Sequence, residues 1–138
     1  MATVELRFSA LPEHVRTARL VAAAVARRAG VDESVLDELR LAVGEACSRA
    51  VALHRRNGVD GAVKVALTEQ EKRFLIEVAD EAGPGGSADG AAGAAPEDED
   101  ALGLAVITGL VEDVEVGNGS EGGVIRMSWP IAPASVPV

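Results

Sequence analysis

The residues of this chain that could do chemistry fall into three short segments. Residues 39–51 carry Glu45 and, one helical turn later, Arg49. Residues 78–85 read Val78-Ala79-Asp80-Glu81-Ala82-Gly83-Pro84-Gly85, a carboxylate followed by glycines. Residues 102–107 read Leu102-Gly103-Leu104-Ala105-Val106-Ile107. There is no Ser/His/Asp set, no P-loop that would cradle phosphate and no Cys/His cluster that would hold zinc. Taken alone, Glu45 reads as a solvated helix carboxylate and Asp80 as the start of a turn. Cys47 reads as a small buried hydrophobe, and His14 and His54, near helix ends, as residues without a catalytic role. Arg16, Arg19 and Arg27 fall on one side of a helix. Such a stripe is a solvated face or, in a chain of net charge -9, a local basic surface for an acidic partner segment.

The elements that must position these groups are legible from periodicity. Val4, Leu6 and Phe8 alternate with Glu5, Arg7 and Ser9, which predicts a half-buried strand. Pro12 opens a helix that runs to Ala29, with Gly30 as its stop and Val15, Ala18, Val21, Ala22 and Val25 as its apolar stripe. Asp32 is the predicted N-cap of a second helix over 33–54. Val35, Leu36, Leu39, Val43, Ala46, Ala50 and Leu53 make its buried stripe. Glu38, Glu45 and Arg49 make a ridge about 100° away, so Glu45 sits at the border of the buried face among small residues, a position that suits a carboxylate facing a cleft. Residues 62–68 and 73–79 are predicted strands, and Asp80 lies just past the end of the second.

Residues 81–100, with five Gly, two Pro and the acidic run Glu97-Asp98-Glu99-Asp100, read as a loop of the length that usually forms a lid. A short apolar helix follows over 101–111, then a hairpin of strands 112–116 and 123–129. The expected organisation is one domain over 1–130 with a flexible lid at 81–100 and a loose tail at 131–138. The expected fold class is α/β: a two-layer sandwich of a mixed, mostly antiparallel sheet with helices on one face.

Composition narrows the function classes. At 138 residues the chain has the length of one domain, and 48% hydrophobic residues suffice for a core. That core is built from small side chains, with 25 Ala and 19 Val against two Phe and one Trp. The negative charge argues against direct nucleic-acid binding. No apolar run spans a membrane and no basic-then-apolar signal segment opens the chain. The single cysteine cannot form an internal disulfide, which fits a reducing, cytoplasmic setting.

The three segments stand in the order and spacing of the N, G1 and G2 boxes of GHKL-type ATPases. Val111-Glu112-Asp113-Val114-Glu115-Val116 and Gly122-Gly123-Val124-Ile125-Arg126-Met127 extend the match. As far as about Trp129 the chain resembles the RsbW-like anti-sigma factors, the serine-kinase branch of the histidine-kinase-like ATPases. The resemblance implies a Bergerat-type sandwich that holds ATP with Mg²⁺ under the lid. It implies that Glu45 polarises the attacking hydroxyl and that Asp80 takes the adenine amino group. It also implies that Gly83, Gly85, Gly103 and Leu104 belong to the nucleotide loops. Its implied partners are a sigma factor, kept from RNA polymerase, and a small STAS-type anti-anti-sigma protein phosphorylated on serine, and its implied assembly is a homodimer.

Three departures bear on the chemistry. The Mg²⁺-binding Asn of the family is Arg49 here, a cation that cannot ligate a metal. Either Ala82 stands at the first glycine of the G1 box or one residue is inserted there, and Leu102 stands where a basic residue often precedes the G2 glycine. Arg49 could contact phosphate directly or pair with Glu45 at i,i+4. The second course leaves the alternative function, a nucleotide-free interaction module of the same fold.

Overall fold

The computed structural model describes residues 2–82, 97–111, 113–118 and 122–131. They form β1 (Ala2–Ser9), α1 (Pro12–Ala29), α2 (Glu33–Asn57), β2 (Ala62–Glu69), β3 (Arg73–Ala79), α3 (Glu97–Leu110), β4 (Asp113–Asn118) and β5 (Gly123–Pro130). The strands make one five-stranded sheet in the order β1-β2-β3-β5-β4. The predicted two-layer architecture stands, but the sheet is not mixed: every pairing among these strands is antiparallel. The reason is topological. The connection through α3 joins β3 to β4, which run parallel, but β5 inserts between them and turns both pairings antiparallel.

Alternation puts one apolar set under the helices. Val63, Val65 and Leu67 of β2, Phe74, Ile76 and Val78 of β3, and Ile125, Met127 and Trp129 of β5 are buried. Register aligns them in rows, such as Leu67 opposite Ile76 and Ile76 opposite Met127. The other face is polar. Arg126 of β5 bonds Glu77 of β3 and Glu115 of β4, and Arg73 pairs with Asp113. These pairs are largely exposed, so each contributes little stability.

The helix ends follow the predicted signals. Pro12 occupies the first turn of α1, and Gly30 ends it with φ 107° while its N–H bonds the Ala26 and Arg27 carbonyls. α2 continues three residues past the predicted end and stops at Gly58, φ 65°. On α1 the buried residues are Ala18, Ala22, Ala23 and Ala26, while Val15, Val21 and Val25 are half-buried. On α2, Leu36, Leu39, Val43, Ala46, Cys47 and Ala50 face the core. Small side chains at this contact let the two helices approach closely. A Cβ built at Gly44 would lie 2.7 Å from Arg19 Cδ, so the stem of Arg19 crosses α2 at Gly44 and would have to shift for any larger residue.

Two boundaries differ from expectation. α3 begins at Glu97 rather than 101, because the acidic run placed in the predicted lid forms its first turn. Negative charge is favoured there by the helix dipole. The chain after β5 is not loose at its start: the Ile131 N–H donates to the Lys72 carbonyl at 3.0 Å and its side chain packs on the core. The rest of the predicted lid, 83–96, and of the tail, 132–138, lies outside the described residues.

This burial pattern sets a test. Leu39 is 0% exposed and Leu41, two residues on, is 55% exposed. Leu39→Ala should lower unfolding free energy by about 2–5 kcal/mol, and Leu41→Ala should change it by less than about 0.5 kcal/mol. Urea denaturation of the two variants measures both; equal losses would mean that α2 is rotated from this orientation.

Candidate functional site

α2 is the spine of the site, packing on α1, α3 and the β2–β3 part of the sheet. Gly44 marks its side toward α1. At 100° per residue, Glu45 and Arg49 lie 100° and 140° round from Gly44, away from α1. Both are half-buried. They stand at the i,i+4 spacing that favours an ion pair, yet no ion pair or hydrogen bond joins either to another described residue. The Nε of Arg49 is buried with no hydrogen-bond partner. An unsatisfied buried donor of this kind costs about 1–3 kcal/mol, more when charged. Of the two courses open to Arg49 in the sequence, pairing with Glu45 is therefore not the one the structure takes.

Asp80 is fixed more firmly than its place after a strand suggests. It is 5% exposed. Its N–H donates to the Gly123 carbonyl at 3.0 Å, and its Oδ1 accepts from the N–H of Gly123 at 3.1 Å and of Ala82 at 3.0 Å. A buried carboxylate needs such donors. Its Oδ2 accepts no hydrogen bond among the described residues. The approach depends on two glycines of the β5 start: a Cβ at Gly122 would overlap the carbonyl oxygen and Oδ1 of Asp80, and one at Gly123 would come within 3.0 Å of Oδ2.

His54 holds the same corner from the other side and is the functional residue that sequence reasoning missed. It is fully buried. The Glu81 N–H donates to its Nε2 at 2.8 Å, and its Nδ1 lies 3.0 Å from the Gly61 carbonyl. A backbone N–H can only donate and a carbonyl only accept, so the network assigns the neutral ring with its proton on Nδ1. The available signal was angular: eighteen residues separate His54 from Leu36, five whole helical turns, which puts the histidine on the buried stripe. Cys47 is buried as expected, and desolvation pushes its thiol up to about 12, which leaves it protonated and inert near neutral pH.

The remaining predicted residues are dispersed. Gly103 lies in the interior of α3, not in its first turn, because the helix starts at Glu97. The Leu104 side chain packs against the core. Gly83 and Gly85 lie outside the described residues. The predicted basic stripe divides. Arg16 and Arg19 line a groove of ≈ 750 Å³ with Leu20, Asp37, Arg40 and Leu41, whereas Arg27 is outside it and bonds Glu33 at 3.1 Å. Leu20 is 56% exposed. Arg40, Leu20 and Leu41 were not predicted; they join the groove because α2 lies beside α1.

No group of three or more His, Cys, Asp or Glu able to hold a metal occurs among the described residues. No described helix is long and apolar enough to cross a membrane.

Residues 8–129 match the family model of the histidine kinase-like ATPase domain. The chain belongs to that family. Within it, the chain is 30% identical to serine-protein kinase RsbW of Oceanobacillus iheyensis over 151 aligned positions, covering 96% of this chain and 89% of the relative. It is 39% identical to serine-protein kinase RsbW of Bacillus pumilus over 82 residues, which cover 58% of this chain and 51% of that protein. It is therefore an RsbW-type member, although it spans about half the length of several of the curated relatives it matches. A solved structure of the RsbU and RsbW domains of Rv1364c from Mycobacterium tuberculosis shares the fold, with TM-score 0.70 at 18% identity over 95% of this chain and 32% of that one.

The His54 tether sets the next test. His54→Phe keeps a ring in the core but strands the Glu81 N–H and the Gly61 carbonyl. It should cost about 1–3 kcal/mol by thermal denaturation. Hydrogen exchange at Glu81 should accelerate more than at Ile76 in mid-sheet; uniform acceleration would mean that His54 is merely packing.

Proposed function

We propose that this chain is an anti-sigma regulator of the RsbW serine-kinase type. It sequesters a sigma factor, exchanges it for a STAS-type anti-anti-sigma protein, and uses ATP to phosphorylate a serine of the latter. The observation that carries the nucleotide half of this reading is Asp80: a buried carboxylate pinned by backbone at a strand end, with Oδ2 left to accept. An acceptor held this way suits the exocyclic amine of a purine such as adenine. Its neighbour Glu81 bonds His54, and Glu45 lies nine residues back along α2, about 13.5 Å at 1.5 Å per residue. That reach is comparable to an extended nucleoside triphosphate. At its far end Glu45, in no ion pair among the described residues, accepts the proton of the partner's serine hydroxyl as that oxygen attacks the γ-phosphorus and ADP leaves.

Asp80→Asn separates recognition from folding. It keeps Oδ1 for the two backbone N–H groups and sets an NH₂ against the adenine amine. ATP at 100 times its Kd should stabilise the parent by about 2.7 kcal/mol. The variant should fold alike and lose that thermal shift. A parent that does not respond to millimolar ATP would remove the kinase half of the proposal.

The docking half rests on the groove between α1 and α2. Arg16 and Arg19, with Arg40 paired to Asp37 on the facing helix, leave the groove net positive beside two exposed leucines, which fits an acidic segment with apolar anchors; electrostatic complementarity of this sort sets both encounter rate and register. Arg16→Glu with Arg40→Glu should weaken capture of the sigma factor roughly tenfold or more, while Arg27→Glu should leave it near the parental value. Biolayer interferometry compares them; equal effects would place docking elsewhere.

A specific observation also favours the nucleotide-free reading. The first turn of α3, whose free N–H groups would otherwise attract phosphate, carries the sequence Glu97-Asp98-Glu99-Asp100. The same ATP titration separates the two.

A further inference from the structure

We infer that this protein binds its nucleotide without a divalent cation, with the Arg49 guanidinium occupying the place of the metal. The inference rests on the ATP-binding reading above and concerns how that site neutralises phosphate. Mg²⁺ requires oxygen ligands in near-octahedral array. Arg49 has no lone pair to offer, and its fixed positive charge repels a dication. The described residues supply no cluster of carboxylates that could hold the metal in its stead. The residue at the position of the family's Mg²⁺ ligand therefore does not fit that metal.

Arg49, in contrast, is prepared for an anion. The chain has more acids than bases, and many of its cations are engaged. Arg27 pairs with Glu33, Arg40 with Asp37, Arg73 with Asp113, and Arg126 with Glu77 and Glu115. Arg49 has a carboxylate one turn away in Glu45 and does not take it. Its Nε is covered from solvent with no acceptor in reach. A buried guanidinium nitrogen without an acceptor is completed by one, and the planar fork matches two phosphate oxygens at once. Position agrees. Arg49 stands five residues before His54 and four after Glu45, about 7.5 Å and 6 Å along the axis. It therefore falls between the adenine anchor and the base, where the phosphate chain of a nucleoside triphosphate would pass.

The test is calorimetric titration of ATP into the full chain, in excess Mg²⁺ and in excess EDTA. Arg49→Asn and Arg49→Lys are run alongside, with melting curves to confirm that each variant is folded. The parent should bind ATP in EDTA with a Kd within about threefold of that in Mg²⁺. Arg49→Asn should lose at least about tenfold in EDTA and recover when Mg²⁺ is added, since an amide oxygen can ligate the metal. Arg49→Lys should bind in EDTA more weakly than the parent and better than Asn, because it keeps the charge but not the fork. Binding by the parent only in Mg²⁺ would overturn the inference and leave the ATP reading standing. Undiminished EDTA binding by Arg49→Asn would overturn it too. Silence of the parent under both conditions would end both.

Discussion

The corner where α2, β3 and β5 meet depends on one set of hydrogen bonds. His54 ties the end of α2 to Gly61 ahead of β2 and to Glu81 after β3, and Asp80 beside it is clamped to Gly123 of β5. Two buried polar side chains thus hold three elements in one place. The sheet alone would not do this, since β3 ends at Ala79 and its ladder stops there. Without the corner, the Asp80 carboxylate would sit on a free strand end. The glycines at 122 and 123 belong to the same constraint, because any side chain there displaces Asp80.

That corner also sets the geometry of α2 as a ruler. Once His54 is pinned, every residue of the helix has a fixed distance from Asp80 and a fixed azimuth. Glu45 and Arg49 inherit their places from this rather than from contacts of their own. Their isolation is itself informative. Half-buried ionisable groups at i,i+4 spacing favour a pair, and here no ion pair joins them among the described residues. The α1 side of α2 serves a different purpose: Gly44 admits the stem of Arg19, which brings the arginines of α1 beside Arg40 and builds a basic, apolar-floored groove on a chain whose net charge is -9.

Much of this was legible in the sequence, because period-two and period-3.6 patterns, Pro12, Gly30 and Gly58 encode local structure directly. The two long helices, the central strands and Asp80 at a strand end could all be read. Three things could not, each for a physical reason. Strand order is a non-local property, so the insertion of β5 between β3 and β4, and with it the wholly antiparallel sheet, has no local signature. His54 was passed over because residue type suggested a helix-end charge, whereas its angle put it on the stripe of Leu36; burial of a polar ring needs partners, and one of the two, Glu81, lies 27 residues further on, beyond β2 and β3. The basic stripe was read on α1 alone, so Arg27 was grouped with Arg16 and Arg19. Only the packing of α2 shows that Arg40 belongs there and that Arg27 answers to Glu33.

The start of α3 joins these threads. A run of four acidic residues is a favourable sequence for a helix's first turn, since negative charge suits the positive end of the dipole. The same run cancels the anion-attracting character of that helix end and moves Gly103 into the helix interior, away from free N–H groups. A fold that binds triphosphate must find positive charge somewhere, and this chain has given up the helix terminus on one side of the cleft. The other side is α2, whose half-buried cation on the ridge of Glu45 is Arg49. On the metal-free reading, the acidic first turn and Arg49 form one compensating pair: positive character given up at the α3 end would be restored from α2 by a guanidinium with an unpartnered Nε.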